Sequence, residues 1–205
     1  MNYPNGIKKE RTTRNQPTYD SNLSHKNRGM TLEAELNSTN EFYREIDKAY
    51  IYKKPTPIKI VKVDYPSRDK TVIKEAYFTT PSTTDYNGLY KGRYIDFEAK
   101  ETQSKTSFAL TNIHPHQIKH LKNINNHDGI AFLIVRFTSL NETYLLPATS
   151  FISLIEETNK KSIPIDYFRE KAFQIKDGYA PRIDYLKIVD ILIGGKNNAE
   201  KRSKK

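Results

Sequence analysis

The sequence predicts an α/β fold in which a mixed central sheet is flanked by helices and a basic β stalk projects from the body. Three observations lead to this prediction. The dipeptide Asn87-Gly88 lies between segments of alternating polarity, a pattern typical of a hairpin with a two-residue turn. Residues 130–137 form a near-continuous apolar run, as fully buried strands do. Amphipathic segments with helical spacing surround both regions.

The chain begins with a polar, basic segment. Residues 1–30 contain six basic side chains against two acidic ones and show no hydrophobic period, so we expect an arm that is largely disordered in the free protein. Arg28 near its end could contact a phosphate or could be a solvated linker residue. From Thr31, a suitable N-cap, apolar side chains at helical spacing predict a helix to about Ile46. Glu33 lies in its first turn, where the helix dipole favours negative charge.

Residues 49–52 predict a short strand, and the segment from Lys53 to Lys74 predicts an exposed two-stranded ribbon. Two prolines exclude a central sheet position for this segment, because proline donates no hydrogen bond to a ladder. A turn at 67–70 precedes a return strand that ends at Phe78. The segment contains seven basic residues against two acidic ones, so we expect it to bind DNA or RNA. The candidate DNA-binding residues are Arg28, Lys54, Lys59, Lys62, Arg68 and Lys70.

The predicted hairpin carries the candidate catalytic residues. Asp96, Glu98 and Lys100 alternate with apolar residues and therefore share one strand face. The turn is expected to make Asp85 a neighbour of Glu98. Carboxylate oxygens gathered in this way suit Mg²⁺ or Mn²⁺, and Lys100 could activate a metal-bound water or stabilise negative charge in a transition state. Taken alone, such a pattern is more often a solvated strand face.

Downstream segments predict the rest of the fold. A helix should begin near Pro115, and the strand 130–137 should pair with residues 143–146. Residues 148–158, 165–173 and 181–193 predict three further helices. His116 and His120 have the spacing of two zinc ligands on a helix, but no third soft ligand is evident, so we expect ordinary surface or DNA-facing histidines.

Composition limits the class of protein. The chain has no cysteine, so we expect neither disulfides nor a thiolate zinc site. No run of 18 apolar residues and no signal peptide is evident, so we expect a cytoplasmic protein with no membrane partner. The net charge of +10 indicates a polyanionic partner. The basic surplus is confined to residues 1–30, to the ribbon and to the tail 196–205, and the tail could equally serve solubility alone.

Several sequence words occur together and in order along the chain. They are Met-Asn-Tyr-Pro-Asn-Gly (1–6), Lys-Lys-Pro-Thr-Pro (53–57), Thr-Pro-Ser-Thr-Thr-Asp-Tyr-Asn-Gly (80–88), Tyr-Ile-Asp-Phe-Glu-Ala-Lys-Glu-Thr (94–102) and Pro-Arg-Ile-Asp-Tyr-Leu (181–186). In this combination the chain resembles the RecU family of Holliday-junction resolvases from Gram-positive bacteria. The resemblance extends from the first residue to about Leu192.

The resemblance implies a restriction-endonuclease-like sheet and a particular site. The family's Mg²⁺ ligands match Thr83, Asp85, Glu98 and Gln117, and its transition-state-stabilising lysine matches Lys100. Asp96 matches no ligand and is expected to lie behind the metal. An acidic residue on an early helix approaches the metal in related nucleases, so Glu33 is a further candidate helper. The domains implied are an arm (1–30), a nuclease domain (31–195) with the ribbon inserted as a stalk, and a tail (196–205).

The family's function follows as an expectation. It is an Mg²⁺-dependent endonuclease that resolves Holliday junctions by paired symmetric nicks, in recombination, DNA repair and chromosome segregation. Paired nicks need two sites related by a two-fold axis, so a homodimer is implied, and the partners would be four-way junction DNA and a RecA-type strand-exchange protein. The alternatives are a non-catalytic DNA-binding or recombinase-modulating protein and a nuclease that acts on ordinary duplex.

Overall fold

The computed structural model describes residues 31–67, 70–79 and 83–203, and the side chains of these residues as far as residue 195. The predicted arm 1–30, including Arg28, lies outside the described residues. So does Arg68 of the ribbon.

Ten strands and five α-helices follow one another in the described residues, and one short 3₁₀ helix lies among them. The helices are α1 (Leu32–Glu45), α2 (Pro115–Asn126), α3 (Ala148–Glu157), α4 (Ile165–Lys171) and α5 (Leu186–Ser203), with the 3₁₀ helix at Leu110–Asn112. The strands are β1 (Tyr50–Lys53), β2 (Ile58–Ser67), β3 (Lys70–Phe78), β4 (Tyr86–Tyr90), β5 (Arg93–Thr102), β6 (Ser107–Ala109), β7 (Ile130–Phe137), β8 (Glu142–Pro147), β9 (Ser162–Pro164) and β10 (Phe173–Ile175).

A six-stranded mixed sheet forms the centre, in the order β1-β4-β5-β7-β8-β10. The pair β5 and β7 is parallel, and all other neighbours in this sheet are antiparallel. A parallel pair needs a crossover connection, and β6, the 3₁₀ helix and α2 supply it. The predicted α/β fold with a mixed central sheet is confirmed.

Helices cover both faces of this sheet. On one face α1 and α5 pack against apolar side chains that include Phe97 and Phe132. On the other face α2, α3 and α4 enclose Leu133, Val135 and Phe137. The rings of Tyr86, Phe97 and Phe132 stack in series at centroid distances of 4.7 and 4.8 Å. These stacked rings bind β4, β5 and β7 together under the α1 face.

The ribbon of β2 and β3 forms a separate two-stranded sheet. All nine residues of β3 and eight of the ten in β2 are exposed, so the ribbon has almost no core of its own. Ion pairing between Lys74 and Asp64, at 2.6 Å, links its two strands. The predicted exposed basic ribbon is confirmed within the residues described.

The predicted hairpin turn at Asn87-Gly88 is wrong. Tyr90 pairs with Arg93, and the two central turn residues are Lys91 and Gly92, with φ of 48° and 72°. Positive φ at both positions is what a tight hairpin between twisted strands requires. Gly88 serves another purpose, since a Cβ there would stand 2.1 Å from the backbone oxygen of Tyr50 in β1.

Three further details differ from prediction. The last helix begins at Leu186 and not at Pro181, because the preceding residues form an isolated bridge between Asp177 and Ile183. The sheet has a sixth strand, β10, which was not predicted and which begins at Phe173, the last residue of a predicted helix. Strands β6 and β9 pair as a small second ribbon. This ribbon was not predicted, because neither segment shows an alternation of polar and apolar residues. No helix in the described part of the chain is long and apolar enough to cross a bilayer.

Candidate active site

Asp85, directly before β4, and Glu98, in the middle of β5, lie side by side. The backbone N–H of Asp85 donates to Glu98 Oε2 at 3.1 Å, and the N–H of Ala99 donates to Asp85 Oδ2 at 3.4 Å. A turn at Asn87-Gly88 would have opposed Asp85 to Tyr90, so the observed turn at Lys91-Gly92 is what brings the two acids together. The predicted neighbourhood exists, but the predicted turn did not create it.

Glu98 is completely buried, with none of its side chain exposed to solvent. Burial and then the charge of the Asp85 carboxylate raise the pKa of Glu98 from its ordinary value of 4.5 to about 7, against the opposing effect of Lys100. Both causes disfavour the ionised form. The pair of acids is therefore held in mutual repulsion, a state that a nearby cation would relieve. A solvated strand face, the alternative reading of this pattern, is excluded for Glu98.

Two polar side chains contact the Glu98 carboxylate directly. The ammonium of Lys100 lies 2.5 Å from Oε1, and the amide of Gln117 donates to the same oxygen at 2.7 Å. Gln117 is buried in the first turn of α2, where its own carbonyl oxygen accepts from the backbone N–H of His114. That second bond fixes which amide atom faces Glu98. The structure thus brings together four of the predicted site residues: Asp85, Glu98, Lys100 and Gln117.

Asp96 occupies the same face of β5 as Glu98 and is also completely buried. It lies at the centre of a hydrogen-bond network and does not point to Asp85. Its carboxylate accepts from Lys54, Tyr94 and His120 at 2.9, 2.9 and 3.1 Å, and it accepts from the Thr84 hydroxyl. These contacts satisfy a buried charge that would otherwise be costly. The expectation that Asp96 supports the site from behind agrees with this position.

Sequence reasoning missed the residues of this network. Thr84 is buried, and its hydroxyl reaches Asp96 instead of remaining in solvent. His120 lies one helical turn after Gln117, so a spacing of three residues on α2 could have placed both on the face that covers β5. Lys54 was assigned to DNA binding. In the structure its ammonium donates to Asp96 and Thr84, and only 19% of its side chain is exposed.

A cleft of about 360 Å³ opens beside the acidic pair, between the N-terminal end of α1 and strands β4 and β5. Glu33, Asp85, Lys100 and Glu101 are among its lining residues. Glu33 is more than half exposed and pairs with Lys53 at 2.5 Å. Glu101 accepts from the backbone N–H of Leu32 at 2.9 Å and so closes the first turn of α1. The candidate helper Glu33 therefore lies at the cleft but not on the Glu98 carboxylate.

Thr83 precedes β4 and is half-buried, two residues before Asp85. Its side chain has no hydrogen bond among the described residues, and nothing there brings it to the Glu98 carboxylate. His116 is on α2 but its ring nitrogen Nε2 has no hydrogen-bond partner within the described chain. No cluster of three His, Cys, Asp or Glu side chains arranged for a metal occurs in residues 31–67, 70–79 and 83–203. His120 is not a surface histidine, because its ring nitrogen Nε2 contacts the buried carboxylate of Asp96.

The donor set fits a hard divalent cation of the Mg²⁺ type and does not fit zinc. Mg²⁺ is commonly held by one or two carboxylates, with waters and substrate phosphate completing six oxygen ligands. Asp85 and Glu98 supply the two carboxylates, the Gln117 amide holds the Glu98 carboxylate, and the adjacent cleft leaves space for water and phosphate. A cation bound there would reduce the repulsion that raises the pKa of Glu98.

The ribbon provides the second candidate surface. Lys59, Lys62 and Lys70 lie on exposed strand positions of β2 and β3. Exposed lysines are suited to phosphate contacts, which do not depend on base sequence. Lys54 is not part of this surface, for the reason given above. The three remaining lysines stay the predicted DNA-binding residues of the described ribbon.

The fold and the site together are those of a mixed α/β protein with an acidic pair, Asp85 and the buried Glu98, an adjacent lysine and an exposed basic ribbon. The family model described as "RecU: Recombination protein U" matches residues 27–191. The "Holliday junction resolvase RecU" of Oceanobacillus iheyensis is 53% identical over 195 residues, covering 94% of this chain and 99% of the relative. The proteins of the same name from Staphylococcus carnosus and Bacillus cereus are 51% and 50% identical, each over 94% of this chain and 96% or 98% of the relative.

This chain belongs to the RecU family. The resemblance stated from the sequence words is confirmed. Among solved structures, a Holliday junction resolvase, Hjc, from Archaeoglobus fulgidus is 11% identical, with a TM-score of 0.36 over 63% of this chain and 91% of that chain. A similarity at that level adds nothing to the assignment.

Proposed function

We propose that this protein is a divalent-metal-dependent endonuclease that resolves four-way DNA junctions. The observation that carries the proposal is the fully buried Glu98 carboxylate, which Asp85 faces and which Lys100 and Gln117 contact. A buried carboxylate whose pKa is raised by burial and by a neighbouring acid, beside a cleft, is typical of a functional site. Membership of a family whose curated relatives are named Holliday junction resolvases supports the same conclusion.

Asp85 and Glu98 would hold the cation, which we propose to be Mg²⁺, with Mn²⁺ as the alternative. When bound, such a cation would polarise a phosphate and lower the pKa of a water molecule. Gln117 orients the Glu98 carboxylate through its amide. Gln117 and Thr83 would complete the coordination directly or through water. These assignments follow the ligand preferences of a hard cation.

Lys100 is proposed to act on the reacting phosphate. Its ammonium lies beside Glu98 and lines the cleft, and this position allows it to offset the negative charge that develops as the phosphodiester is cut. Glu33, across the cleft and paired with Lys53, would orient water or the backbone of the bound strand. Both roles use side chains that are already placed, so little rearrangement is needed.

The ribbon is proposed to provide junction recognition. Its lysines Lys59, Lys62 and Lys70 would contact phosphates near the centre of a junction, where four duplex arms meet. Resolution by paired nicks needs two active sites, so we propose a homodimer with a two-fold axis. Action in recombination, repair and chromosome segregation, a cytoplasmic location and contact with a RecA-type protein belong to this proposal and rest on the family assignment alone.

Cleavage of labelled DNA tests the proposal directly. The protein is incubated with a mobile four-way junction and with a linear duplex of the same sequence, each with Mg²⁺, with Mn²⁺ or with chelator. We expect nicks on two opposed strands of the junction, with either cation, and no cut with chelator or in the duplex. Binding without any cleavage would favour a non-catalytic DNA-binding protein, and equal cleavage of the duplex would favour an ordinary duplex nuclease.

A further inference from the structure

Asp85 lies outside the regular ladder of the sheet that supports the rest of the site. Strand β4 begins at Tyr86, one residue later. The last regular pair between β1 and β4 joins Lys53 to Tyr86, so Lys54 lies opposite Asp85 in the same register. The backbone oxygen of Asp85 accepts from the N–H of Lys54 at 2.7 Å.

The side chain of Lys54 makes further contacts, with neighbours of Asp85 and Glu98. Its ammonium donates to Thr84 Oγ1 at 2.9 Å and to Asp96 Oδ2 at 2.9 Å. Thr84 is the residue directly before Asp85, and Asp96 is two residues before Glu98 on the same strand. A single lysine thus holds the segment that carries Asp85 and the strand that carries Glu98.

The contacts between Lys54 and Asp96 are largely shielded from solvent. Asp96 has no exposed side-chain surface, and 19% of the Lys54 side chain is exposed. Asp96 also accepts from Tyr94 and His120, so its charge is fully compensated. Hydrogen bonds between charged groups in such an environment are strong and directional. The arrangement is therefore rigid enough to set the separation of Asp85 and Glu98.

We propose that Lys54 is a positioning residue of the active site, which holds Asp85 against Glu98 through Thr84 and Asp96. The inference rests on the proposed function and adds to it a residue that contacts neither acid's carboxylate. Lys54 is followed by Pro55, Thr56 and Pro57 before β2 begins. The same residue consequently fixes the point at which the basic ribbon leaves the body.

The opposing interpretation is that Lys54 binds DNA, as its position in a basic segment indicates. If Lys54 contacts DNA, removing its charge should lower the affinity for DNA and reduce the slope of log affinity against log salt concentration (the salt slope). A positioning role predicts normal affinity, slow cleavage of bound DNA and weaker binding of the cation. Misplacement of a reacting group by about 1 Å can cost about 100-fold in rate.

The test uses Lys54→Met, which keeps the length of the side chain and removes the ammonium. Three quantities are measured in the full chain: junction affinity in chelator at several salt concentrations, single-turnover cleavage at saturating protein, and the rise in Tm on adding Mg²⁺ without DNA. We expect unchanged affinity, a rate about 100-fold lower and a higher Mg²⁺ concentration for half of the Tm rise. Lys54→Arg should recover part of the rate.

Two further variants serve as controls. Lys91→Met removes an exposed lysine that pairs with Asp190 at 2.6 Å in the β4–β5 turn, so it loses the same charge away from the site. It should match the wild type in all three measurements. Lys54→Met combined with Asp96→Asn leaves no unpaired buried charge and should restore folding if the single variant is unstable. The double variant should still cleave slowly.

The outcomes separate the inference from the proposed function. Wild-type rates in folded Lys54→Met, or in the double variant, would overturn the positioning role. Loss of affinity with a smaller salt slope and a normal rate once bound would also overturn it and make Lys54 a DNA contact. If the wild type itself cuts no junction, the proposed function fails, and the Mg²⁺ dependence of Tm in Lys54→Met against wild type still decides the inference.

Discussion

The β4–β5 pair and the β2–β3 ribbon contain the same kinds of residue in opposite environments. In the first, Asp96 and Glu98 have no exposed side-chain surface and each is held by several donors. In the second, Asp64 and Lys74 pair in the open, with about half of each side chain exposed. Charges interact far more strongly when buried than in water. On this difference rests our proposal that the Asp85–Glu98 site carries out the chemistry and that the ribbon binds a polyanion.

Loss of a carboxylate from the acidic pair should have the largest effect. Glu98→Gln and Asp85→Asn each remove one proposed cation ligand, so we expect cleavage to fall by at least about 100- to 1,000-fold. Junction affinity in chelator should stay normal, because the ribbon is intact. Gel-based cleavage and binding assays measure both quantities. Substantial cleavage by either variant would remove the site assignment, whereas weakened binding would break the contrast between the two regions.

Substitutions in the ribbon should weaken DNA binding and leave the cleavage rate unchanged, the opposite of substitutions at the acidic pair. Changing Lys59, Lys62 and Lys70 to Gln should reduce the slope of log affinity against log salt by roughly 0.9 for each lysine on a phosphate, to a maximum of about 2.7. The rate of cutting at saturating protein should change little. A matched control changes Lys160, Lys161 and Lys171, which lie in and before α4. An equal loss of slope in that control would mean that net charge, and not the ribbon, binds the DNA.

The smallest effect concerns stability and pH. The pKa of Glu98 is raised to about 7 in the folded protein, so protonation of Glu98 stabilises the fold. This contribution to the free energy of unfolding is fully present below the ordinary pKa of 4.5 and is lost as pH rises through 7. Asp85→Asn removes part of the cause. In the absence of divalent cation, Asp85→Asn should therefore have a higher Tm than the wild type at pH 8, by about 2–4 °C for each kcal/mol gained in free energy of unfolding. Near pH 5 the two Tm values should match.

Thermal melts in chelator at the two pH values measure this difference. Asp166→Asn is the control, since this carboxylate is exposed on α4 and pairs only with Arg169 among the described residues. It should show no such dependence on pH. A gap between Asp85→Asn and the wild type that is the same at pH 5 and pH 8 would contradict the repulsion between Asp85 and Glu98.

Much of the fold could be predicted because hydrophobic periodicity reports burial directly. The apolar run of β7, the exposed ribbon and the helices α1 to α4 follow from spacing, proline and capping signals. The turn was misplaced because Asn87-Gly88 is the stronger local signal, whereas Lys91-Gly92 forms the hairpin. Gly88 is needed for close passage of β1, a contact between segments that are far apart in sequence. Local patterns carry no information about such contacts.

The sequence alone determined the family, the candidate acids Asp85 and Glu98 and the lysine Lys100, since these depend on residue identity and order. Only the tertiary structure decided that Glu98 is buried under Gln117, and that Lys54 turns inward to Asp96 while its neighbours on the ribbon stay exposed. The reason is physical: alternation assigns a side chain to a face, but the packing of α2 on β5 determines whether that face meets solvent. Burial, and with it the pKa of a carboxylate, is a property of the assembled layers.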